Sequence, residues 1–213
     1  MRVYIEGDGF AWKTRSKLSD NPTPINPLAA KLMAADPTRC KVYIARPCQY
    51  TNDSKCHSEY WGSRRFSREI IDSYQDALNQ IKKSNGIEQF DIIGYSGGGA
   101  IAVLSAEGRH DVRHIITVAG NLDTDGWVAY HALSPLEGSL NPADKADAVS
   151  NIPQTHFVGG KDTVVPIDMF QSYSKRVSKP NRLRNVICEE CTHSDGWIER
   201  WREWIVQIND REK

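Results

Sequence analysis

The sequence has no surplus of charge: 27 Lys and Arg residues balance 27 Asp and Glu, a formal net charge of zero. Nothing in that balance creates a broad basic field for nucleic acid or anionic membrane. Arg64, Arg65 and Arg68 form a local basic cluster, read here as the solvated start of a helix. No apolar run is long enough to cross a bilayer. There is no internal repeat, low-complexity tract or linker to divide the 213 residues, a length that suits one domain over 1–213 with a sizeable core. No secretory leader is visible either: Met1 runs directly into RVYIEG, which reads as a strand. A trimmed leader implies a periplasmic or secreted protein, and a native start at Met1 implies a cytoplasmic one. Cysteines are few and odd in number, Cys40, Cys48, Cys56, Cys188 and Cys191, so at least one thiol stays free if the others pair.

What is present is an alternation of short apolar runs with helical patterns. Runs at 2–6, 41–46, 89–93, 113–119, 154–158 and 184–188 read as six strands. Helical patterns occupy 27–35, 67–83, the stretch AIAVLSAEG, 167–177 and a Trp-rich end with Trp197, Trp201, Trp204 and Ile208 on one face. In the second helix Ser67 is the expected N-cap, with Glu69 and Asp72 in the first turn and Asn85-Gly86 as the stop. Residues 120–151 remain a long polar stretch. Strands alternating with helices, and strands apolar throughout their length, predict a largely parallel sheet covered on both faces. In such a sheet chemistry gathers at the carboxyl ends of the strands.

Gly94-Tyr95-Ser96-Gly97-Gly98 lies between a strand and a small-residue helix, the context in which G-x-S-x-G turns a serine hydroxyl outward. Bulk at positions 94 and 98 would obstruct that reversal, and the helix N-terminus behind Ser96 favours negative charge. A serine needs a base to take its proton, and a histidine base needs an acid to fix its tautomer. Asp162 follows the strand QTHFV in a glycine-rich loop, and His193 follows the strand RNVIC, giving the order Ser, acid, His. Asp168 is the alternative acid, but it falls at a helix start and is expected to cap it. Of the other histidines, His57 and His110 precede the required position, His114 opens a strand, and His156 is expected in the core. His131 is a candidate pocket-lining residue. An oxyanion hole needs two backbone N–H groups, one from Gly97 and one from the loop Glu6-Gly7-Asp8-Gly9-Phe10.

Taken together, EGDGFAW, GYSGGG, GGKDTVVP and THSDGW resemble the α/β-hydrolase superfamily, and IEGDGFAW with ARPCQY resembles a group of bacterial members of ill-defined substrate, often exported or lipid-anchored. The resemblance spans nearly the whole chain and implies Ser96, Asp162 and His193 as a catalytic triad, with Gly97 and Asp8 forming the oxyanion hole. Glu6-Gly7 stands where the family commonly has His-Gly, which leaves the second donor open between Asp8 and Phe10. It also implies that the first two strands of the usual core are missing and that the lid is small, with only 120–151 to supply it, hence an open pocket. Disulfides Cys48–Cys56 and Cys188–Cys191, with Cys40 free, fit the exported relatives. A zinc site drawn from Cys188-x-x-Cys191 has only one such pair to draw on. The expected function is a serine esterase acting on a small-molecule acyl substrate through an acyl-enzyme. It needs no cofactor and no metal, and it has no evident protein partner. Thioesterase, lipase or peptidase activity, or a non-catalytic binding module on the same fold, are the alternatives.

Overall fold

The computed structural model describes residues 1–14, 16–51 and 53–210, with the side chains of 209 and 210 left aside. Strand β1 (Arg2–Ile5) leads into a short antiparallel hairpin, β2 (Trp12–Thr14) with β3 (Lys17–Leu18). Then follow α1 (Leu28–Ala35), β4 (Lys41–Ile44), α2 (Arg68–Asn85), β5 (Phe90–Tyr95), α3 (Gly97–Ala106) and β6 (Val112–Val118). After these come α4 (Thr124–Tyr130), β7 (Gln154–Gly159), α5 (Ile167–Ser174), β8 (Leu183–Cys188) and α6 (Ile198–Asp210). Six strands form one sheet in the order β4-β1-β5-β6-β7-β8, and every pairing in it is parallel. β4 is one edge, with no strand beyond it among the described residues, as expected if the first two strands of the usual core are missing.

The pleat divides the core. Val3 and Ile5 of β1 face one side with Phe90 and Ile92 of β5, under the apolar faces of α2 and α3. Tyr4 faces the other with Ile93, against Leu28 and Leu32 of α1 and Trp201 and Ile205 of α6. Central strands β5 and β7 are buried along their whole length, whereas the edges β4 and β8 are only partly so. That gradient is why the inner strands carry unbroken apolar runs. The last helix is fastened to the first strand: Trp201 Nε1 donates to the Tyr4 hydroxyl at 3.2 Å. The Arg2 guanidinium donates to the Ile205 carbonyl at 3.1 Å. No helix among the described residues is long and apolar enough to cross a membrane.

Several boundaries move. Ser67 does cap α2, accepting from Ile70 N–H, and Gly86 ends it in the left-handed region at φ 62°, but only Glu69 lies in the first turn; Asp72 comes later. The stretch 120–151 is not featureless: Asp123 caps α4 by accepting from Gly126 N–H, and a 3-10 turn spans Pro142–Lys145. Their short lengths and weak periodicity hide both from pattern reading. The hairpin β2–β3 is likewise too short to announce itself. α5 stops at Ser174 rather than 177, and Trp197 precedes α6 rather than opening it.

His156 is wholly buried in β7, its Nδ1 2.8 Å from Thr117 Oγ1 and its Nε2 3.1 Å from Gln154 Oε1. Burial, with a smaller contribution from the nearby His114, pushes its pKa down to about 3. The folded protein therefore keeps this imidazole neutral at a pH where the unfolded chain protonates it. Stability from this group is complete above about pH 6.5 and drains away as the pH falls towards 3. Urea unfolding across that window should show a falling midpoint, and His156→Gln should flatten the fall; a variant curve parallel to wild type would assign the acid sensitivity elsewhere.

Candidate active site

One residue, Ser96, separates β5 from α3, and it carries the strain of the reversal: φ is 52° and ψ is −121°. Three hydrogen bonds hold it there. Its N–H donates to the Val118 carbonyl at 3.0 Å, while its carbonyl accepts from Gly99 N–H at 2.9 Å and Asn121 N–H at 3.0 Å. The turn closes so tightly that a Cβ on Gly94 would lie 2.1 Å from the Gly98 carbonyl oxygen. A non-glycine residue in this backbone region costs on the order of 1–3 kcal/mol and persists only where its surroundings over-determine it.

Two loops at the carboxyl ends of β7 and β8 meet Ser96. Asp162 follows β7, and its Oδ1 accepts the N–H groups of Val164 and Val165, both at 2.8 Å. Its Oδ2 lies 2.8 Å from His193 Nδ1, and His193 Nε2 lies 3.0 Å from Ser96 Oγ. An ionised carboxylate only accepts, so the proton between Asp162 and His193 belongs to Nδ1, which leaves Nε2 a lone pair facing the serine hydroxyl. The Tyr95 ring lies beside the imidazole with centroids 5.3 Å apart, and Trp197 Nε1 donates to the His193 carbonyl at 3.1 Å.

The two loops are joined through the cysteines. Gly160 N–H donates to the Cys188 carbonyl at 2.8 Å and Lys161 N–H to the Cys191 carbonyl at 3.0 Å. Cys188 and Cys191 are themselves disulfide-bonded and almost wholly buried. The second disulfide, Cys48–Cys56, lies in a small apolar cluster with Ala11 and Trp61, while Cys40 is free and exposed.

Ser96, His193 and Gly97 open onto a cleft of ≈ 410 Å³. Its apolar lining includes Phe10, Trp12, Ile25, Trp127 and Val164; Asp8, Arg65 and Asn121 supply polar groups. Of the two candidate second donors, Phe10 is spent, because its N–H donates to the Pro22 carbonyl at 3.0 Å. The Asp8 N–H has no partner among the described residues.

Other expectations need correction. Asp168 is exposed in the first turn of α5 and does not cap it; the N-cap position is Pro166, with no side-chain cap bond. His131 does not line the cleft. It follows α4, with Nε2 2.8 Å from the Val164 carbonyl that also accepts from Trp127 Nε1. Arg65 is no part of a solvated helix start. Only 3% exposed, it turns inward to the Asp8 carboxylate, leaving Arg64 at the surface. A hidden acidic partner far away in sequence drew it in, and composition carries no trace of that. Arg46 joins it on Asp8 from the end of β4, the carboxyl end of a strand, where a buried cation was a readable signal.

No protein-family model and no curated protein matches the sequence. Solved structures do share its architecture. An esterase of Pyrococcus furiosus superposes at a TM-score of 0.66 with 11% identity, over 98% of this chain and 80% of that one. In another crystal form of the esterase the match covers 68% of this chain but only 62% of the esterase, at a TM-score of 0.55 and 14% identity. A predicted CIB-like hydrolase of Thermoplasma acidophilum superposes at 0.56 with 19% identity, over 98% and 83% of the two chains. The chain has the α/β-hydrolase fold.

Peptide mapping without reduction should recover Cys48 with Cys56 and Cys188 with Cys191. Replacing Cys188 and Cys191 together by serine should lower the unfolding free energy by about 2 kcal/mol, the scale for a short closed loop. Five free thiols in protein made under oxidising conditions would contradict the pairing.

Proposed function

We propose that this protein is a serine hydrolase of ester-type bonds, working through a Ser96–His193–Asp162 triad. The observation that carries the reading is the hydrogen-bonded chain from Asp162 through His193 to Ser96, at 2.8 and 3.0 Å, on the wall of the cleft. The fold shared with an esterase and other hydrolases supports it.

In the first half-reaction Ser96 Oγ attacks the acyl carbon while its proton passes to His193 Nε2. The carbonyl oxygen takes up the negative charge and is met by the N–H groups of Gly97 and Asp8, at the head of α3, where the helix dipole adds to the hole. The tetrahedral centre then collapses. The alcohol leaves with the proton from Nε2, and Ser96 keeps the acyl group. Water attacks that ester with the same base, releasing the acid and restoring the hydroxyl. Asp162 stabilises the imidazolium in each half without taking a proton itself.

Phe10, Trp12, Ile25 and Val164 leave large apolar area exposed, with Ile25 at 84%. All four line the cleft, a setting for an apolar acyl or alkyl group rather than a charged polymer. The α4 segment, which brings Trp127 to the cleft beside Val164, is the short lid in this reading, and the cleft is open to solvent.

A fluorophosphonate probe should label Ser96 and nothing else, and folded protein that stays unlabelled would point to a binding module instead. Ser96→Ala should fold with activity down by several orders of magnitude. Asp162→Asn should cost on the order of 10⁴-fold by favouring the wrong tautomer, and Asp168→Asn should cost less than about twofold. The reverse ranking would show the acid to be Asp168. Activity should also fall on acidification, since a protonated Nε2 cannot accept the serine proton.

A further inference from the structure

The loop after β1 is held by bonds from four other segments of the chain. The Glu6 carboxylate accepts from Gly7 N–H at 3.0 Å, Ala29 N–H at 3.3 Å and the Tyr43 hydroxyl at 3.0 Å. The Gly7 carbonyl accepts from Gln49 Nε2 at 3.0 Å. The Asp8 carboxylate lies between two guanidiniums, with Arg46 Nη1 at 2.6 Å and Arg65 Nη1 at 2.7 Å. Each arginine is anchored in turn: Arg65 Nε donates to the Gly62 carbonyl at 2.7 Å, and Arg46 Nη2 donates to the Arg65 carbonyl. Within this loop the N–H groups of Asp8 and Gly9 have no partner among the described residues, and both residues line the cleft, but only Asp8 carries a side chain that can be clamped.

That carboxylate also presses on the nucleophile turn. A Cβ on Gly97 would lie 2.1 Å from Asp8 Oδ1. Resting on Gly97, the other donor of the hole, a lone carboxylate would oppose negative charge growing on a substrate oxygen. Between two guanidiniums that opposition is cancelled. Burial alone would raise the Asp8 carboxyl, but the charges and hydrogen bonds of Arg65 and Arg46 outweigh it and hold it below its usual range. Stability is a poor explanation for the cluster. Buried ion pairs contribute little net stability, and Arg46 Nε is buried with no hydrogen-bond partner.

We propose that Arg46 and Arg65 are positioning residues of the oxyanion hole: by clamping the Asp8 carboxylate they fix the Asp8 peptide so that its N–H and that of Gly97 converge on one oxygen. The proposal rests on the serine-hydrolase reading for its kinetic consequences, but the fixing of the Asp8 peptide does not. Donors set in advance of the reaction lower its barrier because nothing must reorganise as charge appears.

The test compares wild type with Arg46→Met, Arg65→Met and the conservative Arg65→Lys, each first confirmed folded by circular dichroism. Hydrolysis of a 4-nitrophenyl ester and its thionoester is measured together with backbone NMR order parameters at the Asp8 and Gly97 amides. Each Met variant should lose ten- to a hundredfold in kcat with KM within about twofold. The oxo-to-thiono rate ratio should shrink by a similar factor, because sulfur gains little from the hole in the first place. Arg65→Lys should recover part of both losses. The order parameter of the Asp8 amide should fall in the Met variants while that of Gly97 stays unchanged. An unaltered Asp8 order parameter, or a kcat loss that leaves the oxo-to-thiono ratio untouched, would overturn the proposal. No turnover of either ester by wild type, with the Asp8 order parameter still lowered in the variants, would retain the clamp and sink the hydrolase reading. Should Arg65→Met fail to fold, Arg65→Gln with Arg46→Lys carries the same comparison.

Discussion

The geometry at Ser96 depends on backbone meeting backbone without side chains between. β5 must reverse into α3 within one residue, and the space is so small that Gly94 nearly touches the Gly98 carbonyl. The reversal forces Ser96 into a left-handed conformation, and the chain tolerates it because β6 supplies the acceptor for the Ser96 N–H and Asn121 a donor to its carbonyl. Strain of this size survives only inside a sheet rigid enough to refuse relaxation. The six parallel strands provide that sheet, and β7 and β8 carry the loops that answer Ser96.

Those loops show how a fold transmits position. Asp162 and His193 lie 31 residues apart in sequence, yet the carbonyls of Cys188 and Cys191 accept from the very segment that presents Asp162. A displacement of one loop is felt by the other through these bonds and the buried disulfide. On the opposite side of Ser96, the clamp on Asp8 ties the first strand's loop to the far end of β4 and the turn before α2. The loops that meet at the cleft are thus braced by their neighbours instead of standing alone.

Much of this was legible from the residues. The six strands, their parallel arrangement and the order of Ser96, Asp162 and His193 follow from apolar runs, glycine placement and chain order. These are local signals repeated often enough to agree with one another. The elements that escaped are short or depend on distant partners. α4 is seven residues in a polar stretch, and β2–β3 pairs too few residues to leave a period. Arg65 was misread because three arginines close together look like a solvated face, and only the fold shows that a carboxylate 57 residues earlier awaits one of them. The spent N–H of Phe10 is equally invisible in sequence, because its acceptor, the Pro22 carbonyl, is a backbone atom that no side-chain pattern reports.

The bond between Trp201 and Tyr4 spans 197 residues, and it joins the first strand to the last helix. A chain made from its N-terminus therefore exposes the underside of β1 until the final helix arrives, and the loop bearing His193 is emitted just before that helix. Ser96, Asp162 and their supporting strands all exist earlier, and the His193 imidazole reaches Ser96 and Asp162 only after them.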